Sequence, residues 1–402
     1  MLGRLMQIKK QKPFINKTII PLFNLGFRPF FLLAGFYAVL SILIWSLVYS
    51  TSFELPLQSI PGYQWHAHEM IYGYCLAVIA GFLLTASKNW TGIQTLNGIP
   101  LLLLTLLWLG ARVSLYFGSI MTASVFDLLF NIFLSFAILY PIVKVRQWRQ
   151  FVIITLLMLF IVGNSMFYLG AFGIFENGVT FGIYCGLYLI IGMILILARR
   201  VLPMFIERGV GYSVSLYNSK WIDLSNTLCF IVFFISELIL ENHTFSSYAA
   251  LALFFINAFR LAYWHTAGIW KKPLLWSLYL SMWFICFGFL LFFSGHFFWV
   301  SKFLAIHAFS YGGIGAITLA MMSRVALGHT GRNISAPPRL IGFAFGVMMV
   351  GGIVRVVLPL IIPSHFLSWI ILSQILWVIA FGAFTCLYFP ILIRPRIDGK
   401  AG

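Results

Sequence analysis

An all-α, polytopic membrane helix bundle of about twelve transmembrane helices, with both termini cytoplasmic, is predicted by three features of the 402-residue chain. Its composition is 61% hydrophobic and 9% charged with a mean hydropathy of +0.99, whereas a soluble domain carries about 25% charged residues. Apolar runs recur at bilayer-crossing length, and basic residues gather on alternate connections between them.

About 20 apolar residues in helical conformation cross the hydrocarbon core. Such runs begin near Phe30, Trp65, Ile99, Ser124, Phe151, Thr180, Trp221, Ser246, Pro273, Trp299, Leu340 and Phe366. Residues 1–27 form a basic tail with Arg4, Lys9, Lys10, Lys12 and Lys17, and hold no apolar run long enough for a signal peptide. Residues 28–394 form one membrane domain, followed by a short tail at 395–402. Connections are short and carry turn signals such as Asn97-Gly98, Asn177-Gly178 and Pro337-Pro338, so no soluble domain has room to fold.

Assigning connections alternately to the two sides places 22 of the 26 Lys and Arg residues with the termini and only Lys302 opposite them. That asymmetry makes the terminal side cytoplasmic. The net charge of +17 would suggest nucleic acid in a soluble protein. Here it reads as a topology signal and as contacts to anionic lipid of the bilayer, with no nucleic-acid partner. The five cysteines lie singly in apolar runs without a CxxC or CxxCH, so they read as small packing residues. Walker A, GxGxxG, HExxH and GxSxG motifs do not occur, which argues against nucleotide-driven transport and hydrolase chemistry.

The second span opens with Trp65-His66-Ala67-His68-Glu69-Met70 at its non-cytoplasmic end. Imidazoles suit haem iron, copper or zinc, and a thioether suits Cu(I). Residues two apart on a helix point about 200° away from each other, so His66 and His68 share an ion only if the segment is not a regular helix. Interfacial histidines at a helix start are the plainer reading. Offsetting the second span by 239 residues onto the tenth gives six identities between positions 68 and 92, among them His68 with His307 and Tyr72 with Tyr311. Both spans run from outside to inside, so His68 and His307 sit at similar depth, each with a tyrosine one turn deeper. Two imidazoles at one level are what a bis-histidine haem requires. Gly312, Gly313, Gly315 and Ala316 would let a macrocycle approach closely, although small stripes more often serve helix packing.

The remaining basic residues, Arg112, Arg260 and Arg355, fall inside spans and each needs a partner, an anion or water. Arg112 and Arg355 lie at the depth of the histidines and suit a propionate or another anion, with pairing to Asp127 or Glu69 as the alternative. Arg324, His329 and Arg332 form a cytoplasmic basic cluster suited to lipid phosphate or a haem propionate, with lipid the plainer partner. His243, His265, His296 and His365 read as interfacial.

Several of these segments resemble one family. His66-Ala67-His68-Glu69-Met70, Ala80-Gly81-Phe82-Leu83-Leu84-Thr85-Ala86, Asn89-Trp90-Thr91-Gly92, Arg200-Val201-Leu202-Pro203-Met204-Phe205 and the stretch from His307 to Arg332 resemble the NnrS family of bacterial inner-membrane proteins, as does Phe27-Arg28-Pro29-Phe30. The resemblance covers nearly the whole chain. It implies a twelve-span protein of the bacterial inner membrane that holds haem b and copper and is linked to nitric oxide metabolism and protection from nitrosative stress. His66, His68 and His307 are the metal candidates it carries over. The resemblance also implies a His that relatives often carry after the segment Pro273-Leu274-Leu275-Trp276, where this chain has Tyr279.

The expected arrangement is haem b between His68 and His307, copper on His66 with Met70 or Glu69, and Tyr72 and Tyr311 as nearby donors. Nitric oxide or a nitrosyl species is the expected small-molecule ligand, with an unidentified electron donor as partner. Rival readings are a secondary transporter of an anion or protons through Arg112, Arg355 and Glu69, and a non-catalytic haem-based sensor or assembly protein.

Overall fold

Each apolar run becomes a helix because a backbone inside lipid must satisfy its own hydrogen bonds. The structure, a computed structural model, describes residues 20–51, 53–56 and 60–400; the basic residues from Arg4 to Lys17 lie outside them. Among the described residues twelve helices are long and apolar enough to cross a membrane. They are α1 (Phe27–Ser50), α2 (Gly62–Thr91), α3 (Ile99–Phe117), α4 (Ile120–Lys144), α5 (Trp148–Ala171) and α6 (Gly178–Gly209). Then come α7 (Lys220–Leu238), α8 (His243–Trp264), α9 (Pro273–Phe297), α10 (Lys302–His329), α11 (Arg339–Ile361) and α12 (Pro363–Ile393). The sequence-derived starts fall within a turn of these bounds. No strand occurs among the described residues.

The helices follow a plan with a period of four. α2, α6 and α10 touch one another and form the core. α3 to α5 connect α2 to α6, α7 to α9 connect α6 to α10, and α11, α12 and α1 close the ring from α10 back to α2. Small residues allow the close approaches this demands. A Cβ on Gly163 or on Gly186 would meet the Tyr72 hydroxyl at 2.6 Å or 2.8 Å, and one on Gly315 would meet Trp377 at 2.4 Å. The glycines of α10 are therefore filled by neighbouring side chains: Phe284 lies against Gly312, Ile285 against Gly313, and Trp377 and Met348 against Gly315.

Three spans leave the α-helical path in the same half of the bundle. α2 is π-helical over Glu69–Cys75, α10 over Ala308–Gly315, and α11 over Ile353–Val357. In α11 the cause is local: Pro359 has no N–H to give and its ring crowds the carbonyl four residues back, which belongs to Arg355. In α10 three glycines make the backbone permissive. In α2 the indole of Trp108 donates to the Gly73 carbonyl at 3.0 Å, a bond that helps satisfy the widened turn. Offset by 239 residues, the π-helical segments of α2 and α10 coincide to within a residue at their ends, so the weak sequence match has a structural counterpart.

Candidate functional site

α2 enters as a regular helix over Gly62–His68, so His66 and His68 diverge as helical spacing requires. His68 turns into the bundle and is fully buried, its ring stacked on Phe167 at 4.1 Å. His66 remains half-buried and stacks on Trp45 of α1, with ring centroids 4.7 Å apart and planes 7° from parallel.

Around His68 five spans contribute one closed polar cluster. Its Nδ1 lies 3.0 Å from Glu69 Oε1, and its Nε2 lies 3.0 Å from Asn164 Oδ1 and 3.4 Å from Asp127 Oδ2. Arg112 bridges the two carboxylates, with Nη2 2.8 Å from Asp127 Oδ1 and Nε 3.3 Å from Glu69 Oε2. Tyr37 donates to Glu69, and Tyr168 donates to Asp127 Oδ2 at 3.0 Å. Both nitrogens of His68 thus face oxygen acceptors. Among the alternatives left open for Arg112, pairing with Asp127 and Glu69 is the arrangement present. The pairings offset what burying such charges costs, and the removal of one partner would leave the other stranded.

His307 belongs to a different group. Its Nδ1 is 2.7 Å from the Phe303 carbonyl, so this nitrogen carries the proton and Nε2 presents its lone pair. Arg355 Nη2 donates to that lone pair at 2.8 Å. His66 lies in the same electrostatic neighbourhood, within the fields of both His307 and Arg355. The Nδ1 of His66 is buried without a hydrogen-bond partner. Arg355 has no carboxylate beside it among the described residues, whereas Arg112 pairs with two and Arg260 pairs with Asp223 at 2.9 Å.

The sequence-derived pairing therefore divides. His66 and His307 share a locality with Arg355, while His68 and Glu69 join Arg112 in the closed cluster. Met70 faces Ser41, with Sδ 3.5 Å from the hydroxyl. Tyr72 donates to the Gly182 carbonyl and Tyr311 to the Ser373 carbonyl, each at 2.7 Å, so both hydroxyls tie neighbouring spans together. Tyr279 donates to the Leu261 carbonyl at 3.0 Å. No three His, Cys, Asp or Glu side chains among the described residues converge on a point suited to a metal ion.

Sequence reasoning passed over Trp45, Tyr37, Asn164 and Tyr168. An asparagine within the apolar run of α5 was the available signal, because an amide inside a span needs a partner. Elsewhere His243 pairs with Glu237 at 3.0 Å and His296 lies 3.1 Å from the Thr244 hydroxyl, both at the end away from the termini.

No curated protein matches the chain. The family model described as NnrS protein matches residues 21–396, which includes all twelve spans, both histidine-bearing core helices and the Arg355 helix. On that extent of agreement the chain belongs to the NnrS family.

Proposed function

We propose that this protein acts in nitric oxide metabolism or in protection from nitrosative stress in the bacterial inner membrane, with haem b held between His66 and His307. The observation that carries the reading is the contact between His307 Nε2 and the acid-free guanidinium of Arg355, whose charge also reaches His66. His66 has a buried, unpartnered ring nitrogen, and the Phe303 carbonyl engages His307 Nδ1, so that Nε2 would be the atom to hold the iron. Two imidazoles complete a haem, because the macrocycle supplies the other four ligands. Arg355 would release His307 and take a propionate, the partner its charge lacks. Haem would supply an iron that takes nitric oxide as a ligand when one of the two imidazoles dissociates.

The residues fit copper less well. Glu69 is committed to Tyr37, His68 and Arg112, and Met70 faces Ser41, so copper enters the proposal through the family resemblance alone. The His68 cluster holds the outer part of α2 in place and so fixes where His66 points. Neutral nitric oxide partitions into lipid and needs no polar channel to reach a site between helices. The transporter reading gains nothing from the buried charges. Of the residues that reading uses, Arg112 and Glu69 are paired with each other in the closed cluster with Asp127, and Arg355 donates to His307, with no hydrogen bond joining the two groups among those described.

Optical spectroscopy and metal analysis of protein expressed with ample haem test the reading. A Soret band that shifts on addition of nitric oxide is expected. A featureless spectrum with neither iron nor copper bound would overturn it.

A further inference from the structure

Deeper in the bundle, at the seam where α2, α6 and α10 meet α9 and α1, lies a cavity of about 100 Å³. Its wall includes Cys75 and Val78 of α2, Met193 and Ala198 of α6, Leu278 of α9 and Ile317 of α10. That wall exposes no polar surface. Thr318 is the one wall residue with a hydroxyl, and that group is used internally: it donates to the Ile314 carbonyl at 2.6 Å and meets the Tyr74 hydroxyl at 2.6 Å. The half-buried members of the wall, among them Phe82 of α2, Ile194, Leu197, Val201 and Phe205 of α6 and Met321 of α10, mark the side on which it opens toward the lipid-facing surface. The guanidinium of Arg324 lies 3.8 Å from the centre of the Phe205 ring and keeps that side chain in place.

We propose that this cavity binds a small uncharged apolar molecule taken up from the bilayer. Water needs two to four polar partners to occupy such a space, and an apolar molecule needs none. The volume exceeds the liquid share of one water molecule, about 30 Å³, several-fold. A dry apolar cavity of this order is the kind of site that binds xenon. Its position gives the binding a use. Cys75, at the near edge of the wall, ends the π-helical segment of α2 whose preceding turn carries His66, so the cavity begins on the order of 13 Å along the helix from that histidine. The proposal concerns the cavity alone and stands whether or not His66 and His307 hold haem.

Xenon is the probe, applied to the full-length protein in nanodiscs or under pressure in crystals. One saturable xenon site lined by Cys75, Met193 and Ile317 is expected in the wild type. Ala198→Phe, which fills the space, should abolish that site and leave haem and copper content unchanged. Ile190→Ala, which enlarges it, should retain binding. Absence of xenon from the wild-type cavity overturns the proposal, as does a lipid or detergent chain occupying it. Undiminished xenon binding in Ala198→Phe would overturn it too. The wild-type measurement decides the matter even if both variants fail to fold.

Discussion

Arg112 shows what a single intramembrane charge requires. Its guanidinium holds Glu69 and Asp127 together, and both carboxylates are fully buried. Replacing it by methionine keeps the length of the side chain and strands two carboxylates. A loss of about 3–5 kcal/mol is expected, read as a lower unfolding temperature in detergent; an unchanged temperature would contradict the cluster's role. Gly73 is part of the same device, because a Cβ there would meet Arg112 Nη1 at 2.5 Å. Gly73→Ala should therefore destabilise by about 1–3 kcal/mol, the usual cost of overpacking, although alanine is the better helix former. The carboxylates and Arg112 were legible in the sequence as alternatives. Which of them paired was not legible, because the choice depends on how α2, α3 and α4 rotate about their axes, and the apolar faces of such spans carry no strong periodicity to fix that rotation.

At the scale of elements, the π-helical segments in α2, α10 and α11 carry or adjoin His66, His307 and Arg355. Such widened turns are frequent at functional sites, and each re-aims the side chains around it. Tyr72 and Tyr311 brace these segments against α6 and α12 through carbonyl hydrogen bonds. Tyr311→Phe should cost about 0.5–1.5 kcal/mol in thermal stability without removing cofactor, whereas a role as proton donor would show as lost activity at unchanged stability. At the other end Arg396 grips Asp398 with two bonds of 2.6 and 2.8 Å and donates to the His329 carbonyl, pinning the C-terminal segment under α10. Arg396 holds the Asp398 carboxyl well below the usual carboxylate range. The clip is therefore fully formed above the ordinary carboxylate pKa and is lost only as pH falls through the lowered folded value. The protection factor of the Ile397 amide, which donates to the Thr330 carbonyl, should stay constant from pH 7 down to about 4; its loss already at pH 5 would contradict this. The element boundaries were readable from apolar length alone. The π-helical segments were not, because a turn one residue wider leaves composition unchanged, and Pro359 alone gave a local cue.

For the molecule as a whole, the period-four plan explains why two spans eight apart in sequence share a pattern. α2 and α10 are both core helices at the meeting point of three outer groups, and α6 is the third. Loop charge supplied direction, which the fold by itself does not. Cysteines introduced in a cysteine-free background at Glu241 and at Arg149 should label from opposite faces of intact spheroplasts, Glu241 from outside; the reverse pattern would invert the assigned topology. The placement of His66, His68 and His307 near the starts of α2 and α10 was readable from the sequence. Partnership was not, since it rests on helical phase: His68 faces Phe167 and the carboxylates, and His66 faces Trp45 and the Arg355 neighbourhood.

The most direct test is haem content per protein, from the Soret absorbance of monodisperse wild type and of His66→Ala, His307→Ala and His68→Ala. The two variants His66→Ala and His307→Ala should each lose most of the band and regain part of it with added imidazole, while His68→Ala loses stability before it loses haem. Full haem content in His66→Ala, together with a stable but haem-free His68→Ala, would contradict the assignment and return the axial role to His68.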